Sequence, residues 1–294
     1  MSNQPRKHHF VPQFYLSGFT DDGTVEGSLS VLDTDRLKVW KGKPKDVAHQ
    51  RDFHEIDGGP NGDPMIVEKL LGEFEGKWSS VLRDVIERQH VPDDDRFGDL
   101  MMFVAFMAVR VPRIRNIITS FLDEVRRKEE FARNWLQQQG QQVEPAPENE
   151  ADEFDQTWHV QQMVQMAVTL APILSLRTWN LWIVKSGAPD LFCSDSPVAL
   201  TWATAVTGPY PPGFGLRNTV VSVPLHKRLA MVGMFDVDVG RRLLEVSEVA
   251  QLNSATGMQA GQIYSPTPDF AWLMKNGSVG SRGDLLDALK ATGS

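Results

Sequence analysis

The sequence predicts an α+β fold in which a helical middle third packs against a mixed or antiparallel sheet built from N-terminal and C-terminal strands. Between about residues 64 and 176, apolar residues recur at three- and four-residue steps, as on the buried side of amphipathic helices. Short runs of strand-forming residues, punctuated by Gly and Pro, occupy about residues 1–60 and 177–294. We therefore expect a single domain over 1–294 with a helix-rich lobe and a strand-rich lobe.

The N-terminal segment, residues 7–19, is more apolar than a chain end usually is. Chain ends are usually polar and frayed, because apolar side chains are costly to leave in water. We expect this segment to pack against the body of the protein through Phe10, Val11, Phe14, Tyr15, Leu16 and Phe19. Residues 29–32 and 37–40 then flank the polar run Asp33–Arg36 and predict a β-hairpin, and residues 57–60 predict a loop.

The middle third predicts a series of helices. The first begins near Pro64 and runs for about six turns, until the turn at residues 91–95. The second contains Leu100–Val109, which is apolar almost all the way round, so we expect it to be buried on every side. Pro112 kinks or interrupts it, and a polar helix follows to about Gln139.

The rest of the chain alternates between a loop, helices and short strands. Residues 137–153 are rich in Gln, Pro and Glu and are typical of a flexible surface loop. A helix over about 154–176 follows, and we expect one face of it to carry Trp158, Met163, Met166 and Leu170. Beyond it we predict strands at 179–184, 191–193, 198–202, 219–223 and 229–234, a helix over about 243–259, a strand-like piece at 270–274 and a short helix over about 284–291.

Composition limits the class of protein. The net charge of −8, from 38 acidic and 30 basic residues, gives no overall field toward nucleic acid, so a nucleic-acid partner stays open but is not favoured. The single cysteine, Cys193, excludes an intramolecular disulfide and a Cys-rich zinc site. No secretory signal follows Met1, and the longest apolar run, Leu100–Val109, is too short to cross a bilayer. We expect a cytoplasmic protein without a membrane partner.

The adjacent residues His8 and His9 are the first candidates for chemistry. Consecutive side chains face opposite sides of a strand and diverge by about 100° on a helix, so at most one of them joins a given site. A carboxylate such as Asp195, or another histidine, would supply the rest of that site. The competing interpretation is a hydrogen-bonded core histidine, the commoner use of this residue in an apolar setting.

A second candidate is the turn after residues 191–193, where Ser194, Asp195 and Ser196 precede Pro197. Functional groups often lie on loops at strand ends, because a rigid sheet aims them. The commoner alternative is a turn whose side chains bond their own backbone. Cys193, at an apolar strand position, is expected to be a buried and inert thiol.

Arginines form the third candidate, at the break between two predicted helices. Arg110 ends an all-apolar run, so its guanidinium needs an acidic partner or an anionic ligand. Glu68 or Glu75 would be that partner if the two helices pack antiparallel, and a structural ion pair is the commoner use. Binding of a phosphate would need a second arginine, such as Arg113, to converge with Arg110.

These motifs resemble those of the bacterial family catalogued as domain of unknown function 4238. The resemblance begins with His8-His9-Phe10-Val11-Pro12 and Tyr15-Leu16, which is similar to that family's His-His-aromatic-Val-Pro-x-x-Tyr-Leu opening. It continues with Arg110-Val111-Pro112 and with Ser194-Asp195-Ser196-Pro197-Val198, where Ser196 replaces the more frequent Asn. Pro224-Leu225, Asn253 and Ile263-Tyr264-Ser265 fit the family's order. The resemblance implies no known activity.

Two functional hypotheses remain at this level. The first is a hydrolase acting on a phosphate-containing substrate, with a nuclease as its narrower form. In it, His8, His9, Asp195 and Ser194 are catalytic, and Arg110 and Arg113 bind substrate. A cofactor is not specified by the sequence, and a divalent metal is one option. The second hypothesis is a non-catalytic binding module in which the same polar residues form a structural network.

Overall fold

The computed structural model describes residues 7–51, 53–54, 63, 65–142, 151–204 and 210–292, and for 151–156 and 292 the backbone alone. The loop predicted at 57–60, Pro64 and residues 143–150 of the loop predicted at 137–153 lie outside these residues. The ends of that second stretch, 137–138 and 151–153, are helical and not loop. The helices are α1 (Gln13–Leu16), α2 (Ile66–Arg88), α3 (Asp95–Val109), α4 (Pro112–Gln138), α5 (Ala151–Ser175), α6 (Val246–Gly257) and α7 (Arg282–Thr292). None of these helices is long and apolar enough to span a bilayer.

The strands form several mostly antiparallel sheets, which confirms the α+β class. They are β1 (Lys7–His9), β2 (Leu29–Asp33), β3 (Lys38–Gly42), β4 (His49–Arg51), β5 (Thr178–Val184), β6 (Cys193–Ser194), β7 (Ala199–Trp202), β8 (Thr219–His226), β9 (Leu229–Met234), β10 (Arg241–Leu244), β11 (Gln262–Ser265), β12 (Trp272–Leu273) and β13 (Val279–Gly280). The largest sheet has the order β10-β5-β9-β8-β7, and the next is β3-β2-β11-β6. Small sheets pair β1 with β4 and β12 with β13.

The N-terminal segment is anchored as its apolar sequence predicts. Strand β1 pairs antiparallel with β4, which sets His8 opposite Gln50 and His9 opposite His49. The apolar residues that follow enter the main core, where Val11, Tyr15, Leu16 and Phe19 have no exposed surface. The Tyr15 hydroxyl donates a hydrogen bond of 2.5 Å to the Pro224 carbonyl, which ties the segment to β8. The histidines therefore occupy fixed positions in the fold.

Helix α3 lies at the centre of the helical region and is buried along most of its length, which confirms the prediction from its all-round apolar pattern. It is capped by Asp94, whose side chain accepts a hydrogen bond from the Arg96 amide. It ends at Val109 because Val111, which precedes Pro112, is extended, as residues before proline usually are. Pro112 then opens α4 and places Arg110 at a fixed corner between two helices.

Two further sequence predictions are wrong in detail. The buried stripe of α5 follows residues 160, 163, 167, 170, 171 and 174, so Met166 lies at its edge and is 37% exposed, and Trp158 is only half-buried. The helix predicted from residue 243 begins instead at Val246. Residues 241–244 pair in parallel with β5, and a capping box between Glu245 and Glu248 fixes the helix start. Tertiary strand pairing outweighs the local helical pattern there.

Candidate functional site

His8 lies in a buried cluster with His54 and Glu68. The His54 backbone amide donates a hydrogen bond of 2.9 Å to Nδ1 of His8, and the two imidazole rings stack with centroids 5.6 Å apart. Both histidine side chains are fully buried. The pairing of β1 with β4 explains this meeting, because it brings the chain just after β4 alongside β1. His8 is therefore held next to a second histidine that follows it by nearly fifty residues.

Glu68, in the first turn of α2, completes the cluster. Its Oε2 lies 2.7 Å from Nδ1 of His54. An ionised carboxylate only accepts hydrogen bonds, so this Nδ1 carries the proton and Nε2 of His54 is left with a free lone pair. Nδ1 of His8 accepts a bond, so in the neutral ring the proton is on Nε2. Neither Nε2 atom has a hydrogen-bond partner in the described part of the chain, although both are buried.

Burial controls the protonation of the cluster. It lowers the pKa of His54 to about 4, and the positive charge of Arg110 adds to this effect, while the hydrogen bond that Nδ1 of His54 donates to Glu68 opposes it. For Glu68, burial alone would raise the pKa, but the hydrogen bond and charge of His54, together with His8 and Arg110, lower it below its usual value. At neutral pH the cluster therefore contains a neutral His54 beside an ionised Glu68.

The cluster has the composition of a metal site. One nitrogen of each imidazole and one carboxylate oxygen of Glu68 all lie within 4.8 Å of one another. Two histidines and a glutamate are the protein ligands of one well-known class of catalytic zinc centre, which leaves a further position for water. Among the described residues, this is the single group of three or more such side chains that converges so closely.

His9 points to the opposite side of β1, as the strand geometry predicts, and its ring packs edge-on against His49 at 5.3 Å. Its carbonyl accepts a hydrogen bond of 2.5 Å from the Arg110 guanidinium, whose other terminal nitrogen lies 3.0 Å from Glu75. Glu75, proposed from the sequence as a partner of Arg110, is thus confirmed in that place. Burial, helped by the charge of His49, lowers the pKa of His9 to about 4.

A cavity of about 600 Å³ opens beside these residues. We call it the N-terminal cavity, and its charged and titratable lining consists of Lys7, His9, Lys45, Asp46, Glu68 and Glu75. Glu68 thus connects the buried cluster to the cavity, because its side chain is 30% exposed while His54 behind it has no exposed surface. A small molecule in the cavity would meet the carboxylate of the cluster first.

The Ser194–Asp195 turn borders another cavity, of about 750 Å³, which we call the Asp195 cavity. Its lining includes Asp35, Arg113, Asn116, Ser120, Asp195 and Ser196. The hydroxyl of Ser194 donates to the Thr256 carbonyl and accepts from the Ser196 amide, and Asp195 accepts from the Gly261 amide at 3.1 Å. Burial raises the pKa of Asp195 to about 6, although hydrogen bonds from backbone amides oppose the rise.

The structure divides the predicted site residues between the N-terminal cavity with its histidine cluster and the Asp195 cavity. Arg110 contacts His9, and Arg113 lines the same cavity as Asp195. Among the described residues, no hydrogen bond, ion pair or ring contact joins His8 or His9 to Ser194 or Asp195. The corner between α3 and α4 links the two groups, because it carries Arg110 to one and Arg113 to the other.

His54 and His159 are site residues that the sequence interpretation missed. His159, on α5, is 2% exposed and neither of its ring nitrogens has a partner within the described residues. Phe53 packs edge-on against both histidines, with centroids 5.0 Å from His54 and 5.8 Å from His159. Burial lowers the pKa of His159 to about 4, with contributions from the charges of Arg115 and His54. In the sequence each of the two histidines follows an aromatic residue, Phe53 or Trp158, and this is a weak signal of a buried position.

The chain belongs to the family described as Protein of unknown function (DUF4238), whose family model matches residues 7–260. The match confirms the resemblance seen in the sequence, and it includes both groups of candidate residues. No curated protein and no solved structure matches the chain. The function has to be argued from the geometry of the site.

Proposed function

We propose that this member of the DUF4238 family is a hydrolase that acts on a phosphate-containing substrate, with the His8–His54–Glu68 cluster as its catalytic centre. One observation carries the proposal: two fully buried imidazoles have unpartnered ring nitrogens beside a carboxylate that lines a cavity. A buried polar group without a partner costs about 1–3 kcal/mol, so such groups are concentrated where they serve a function. The cluster is therefore a candidate for chemistry rather than for stability.

A divalent cation would give the cluster its catalytic ability. The pKa values of His54 and His9 are lowered to about 4, and that of Glu68 lies below its usual value, so none of them is matched to accept a proton at neutral pH. A bound divalent cation would supply this function by lowering the pKa of a coordinated water. His8, His54 and Glu68 are the residues that would hold it. Nε2 of His54 already has the free lone pair that a cation needs, whereas Nε2 of the neutral His8 ring carries a proton, so cation binding there would release that proton.

The N-terminal cavity would receive the substrate. Lys7 and Lys45 can attract a phosphate group, but Asp46, Glu68 and Glu75 in the same lining would repel it. A cation at Glu68 would offset these carboxylates and leave a net attraction for an anion. Both terminal nitrogens of Arg110 are engaged, by Glu75 and by the His9 carbonyl, and the residue is 2% exposed, so we assign it to positioning the N-terminal strand rather than to binding substrate.

Activity assays would test the proposal directly. Purified protein would be incubated at pH 7.5 with p-nitrophenyl phosphate, bis(p-nitrophenyl) phosphate, and single-stranded DNA and RNA, in EDTA and then with added Mn²⁺ or Zn²⁺. We expect hydrolysis of at least one phosphate ester, loss of activity in EDTA and its return with metal. Hydrolysis of the nucleic acids would establish the narrower nuclease function.

Variants of two glutamates on the same helix sharpen this test. Glu68→Gln keeps the shape of the side chain but removes its charge, and we expect it to lower kcat by about 100-fold or more. Glu73→Gln, at an exposed position of α2, is the matched control and should leave the rate unchanged. Absence of turnover with every substrate and metal, or full activity of Glu68→Gln, would contradict the proposal.

The alternative is a binding module in which the histidines only fix the N-terminal segment. It is favoured by the bond from the His54 amide to His8 and by the bond from Arg110 to the His9 carbonyl, both of which hold β1 in place. In that case His8→Ala and Asp195→Ala would lower the melting temperature sharply. Variants that melt like the wild type but lose a biological activity would rule it out.

A further inference from the structure

Helix α4 has an apolar face that nothing in the described part of the chain covers. The helix has 27 residues, and none of them is buried. One side carries half-buried Ile118, Leu122 and Leu136. On the opposite side, large side chains are turned to solvent, with Ile117 52%, Phe121 61%, Phe131 73% and Trp135 53% exposed. Exposed apolar surface of this extent on one helix indicates an interaction site.

The outer face, which we call the α4 stripe, has apolar residues at symmetric positions and opposite charges at its centre. Residues 117, 121, 124, 128, 131 and 135 follow one another at steps of three and four, so they share one side of the helix. The pattern is symmetric about Arg126. Glu124 and Lys128 flank the centre at equal distances and with opposite charge. Phe121 mirrors Phe131, and Ile117 mirrors Trp135.

We propose that the α4 stripe is a homodimer interface, in which two copies of the chain pack their α4 helices antiparallel around a two-fold axis that crosses the stripe at the level of residue 126. Such an axis brings each residue opposite its mirror position in the partner. Phe121 of one copy then meets Phe131 of the other, and this contact occurs twice, once on each side of the axis. At the centre, Glu124 meets Lys128 twice.

Charge complementarity identifies the partner as a second copy. An unrelated partner would require no relation between the two halves of the stripe, whereas a two-fold axis requires opposite charges at mirrored positions. Lys128 now lies 3.6 Å from Glu124 of its own helix, and Arg127 lies 2.7 Å from the same carboxylate. These pairs are exposed and contribute little, so Glu124 can exchange them for contacts across the interface.

Charge reversal tests the proposal. In size-exclusion chromatography with light scattering, the wild type should have about twice the chain mass of 33.0 kDa. Glu124→Lys places two like-charged pairs across the axis, as does Lys128→Glu, so each single variant should shift to monomer. Mixing the two single variants restores both opposite-charge pairs and should give a heterodimer. The double variant Glu124→Lys/Lys128→Glu should dimerise again.

Apolar controls separate the stripe from the rest of the surface. Phe121→Glu should abolish the dimer, whereas Val239→Glu, at a position that is 79% exposed elsewhere, should not. Circular dichroism would show that each variant remains folded. A wild type that stays monomeric at about 100 μM, above the range of a specific micromolar complex, would overturn the proposal. Dimerisation unaffected by Phe121→Glu would do the same, and the phosphatase assays have no bearing on either result.

Discussion

The His8–His54–Glu68 cluster and the Ser194–Asp195 turn contain similar kinds of residues but use them in different ways. Ser194 and Asp195 bond to backbone groups at Thr256, Ser196 and Gly261, so the turn holds chain segments together. In the cluster, each imidazole makes one hydrogen bond and leaves one buried nitrogen unpartnered. A satisfied polar group supports the fold, whereas an unsatisfied one is a cost that the fold carries. This difference places the candidate chemistry at the histidines.

The buried histidines and Asp195 should also make the stability of the protein respond to pH in opposite directions. The pKa values of His9, His54 and His159 are about 4 in the folded protein, against an ordinary value of 6.5 for the side chain in water. A lowered histidine pKa means that the unfolded chain binds more protons between these values, so the free energy of unfolding falls as the pH falls from about 6.5 to 4. Asp195 has the opposite effect. Its pKa is raised to about 6, so the folded chain binds more protons and the free energy of unfolding rises as the pH falls from about 6 to 3.8.

The largest expected effect is this loss of stability in acid. Each pKa unit is worth about 1.4 kcal/mol, and three histidines outweigh one aspartate. Urea unfolding in EDTA, followed from pH 7.5 to pH 4.5, should show a steep fall in the free energy of unfolding. A flat profile through this range would mean that the buried imidazoles are already protonated or solvated at neutral pH.

Arg110, at the corner between the regions, should give the largest effect of a single substitution. Arg110→Met fills similar space but leaves Glu75 and the His9 carbonyl without their partner. Breaking a buried ion pair from one side costs about 3–5 kcal/mol, which would appear in urea unfolding at pH 7. Arg133→Met, at a partly exposed position of α4 where the guanidinium lies 3.9 Å from Glu129, is the control and should change stability by less than about 1 kcal/mol. Equal stability of the two variants would show that Arg110 does not hold β1 in place.

A smaller effect is expected at Asp195. Its folded pKa of about 6, against an ordinary value of 3.8, favours the folded protein below about pH 3.8, and this contribution is lost as the pH rises through 6. Asp195→Asn removes the buried charge and can still accept the Gly261 amide. We expect it to stabilise the protein at pH 7 by up to about 3 kcal/mol and to have no such effect near pH 4. A destabilised variant at pH 7 would indicate that the carboxylate has a charged partner in the native state.

Much of the fold could be predicted from the sequence because its local patterns agree with its tertiary contacts. The all-apolar run before Arg110 predicts a buried helix, and the strand-like runs on either side of Asp33–Arg36 predict the β2–β3 hairpin, which is confirmed by its register. Strand β10 could not be predicted, since its pairing with β5 involves a partner some sixty residues away along the chain. Local pattern carries no information on such a contact.

The candidate site was predictable only in part, for the same reason. The apolar residues after His9 predict an anchored N-terminus, and the position of Arg110 predicts an acidic partner, Glu68 or Glu75, of which the structure shows Glu75. Nothing in the sequence indicates that His8 meets His54 rather than Asp195, because that contact depends on the β1–β4 pairing. His159 lies still farther along the chain, on a helix whose pattern predicts a core face. His54, which completes the cluster with Glu68, is therefore brought to His8 by tertiary structure, as His159 is brought near it.

The smallest expected changes in the free energy of unfolding have opposite signs for a buried histidine, His159, and for the Ser194–Asp195 turn. His159→Leu removes two buried nitrogens that have no partner among the described residues, whereas Ser194→Ala removes a hydroxyl that bonds to two backbone groups. Replacing an unsatisfied polar group by an apolar one of similar size is neutral or stabilising, so we expect His159→Leu to raise the free energy of unfolding at pH 7 by about 1 kcal/mol. Ser194→Ala should lower it by about 1–2 kcal/mol, because the Thr256 carbonyl and the Ser196 amide lose a partner. Parallel urea titrations would measure both, and destabilisation by His159→Leu would mean that its nitrogens bind water or an ion in the native state.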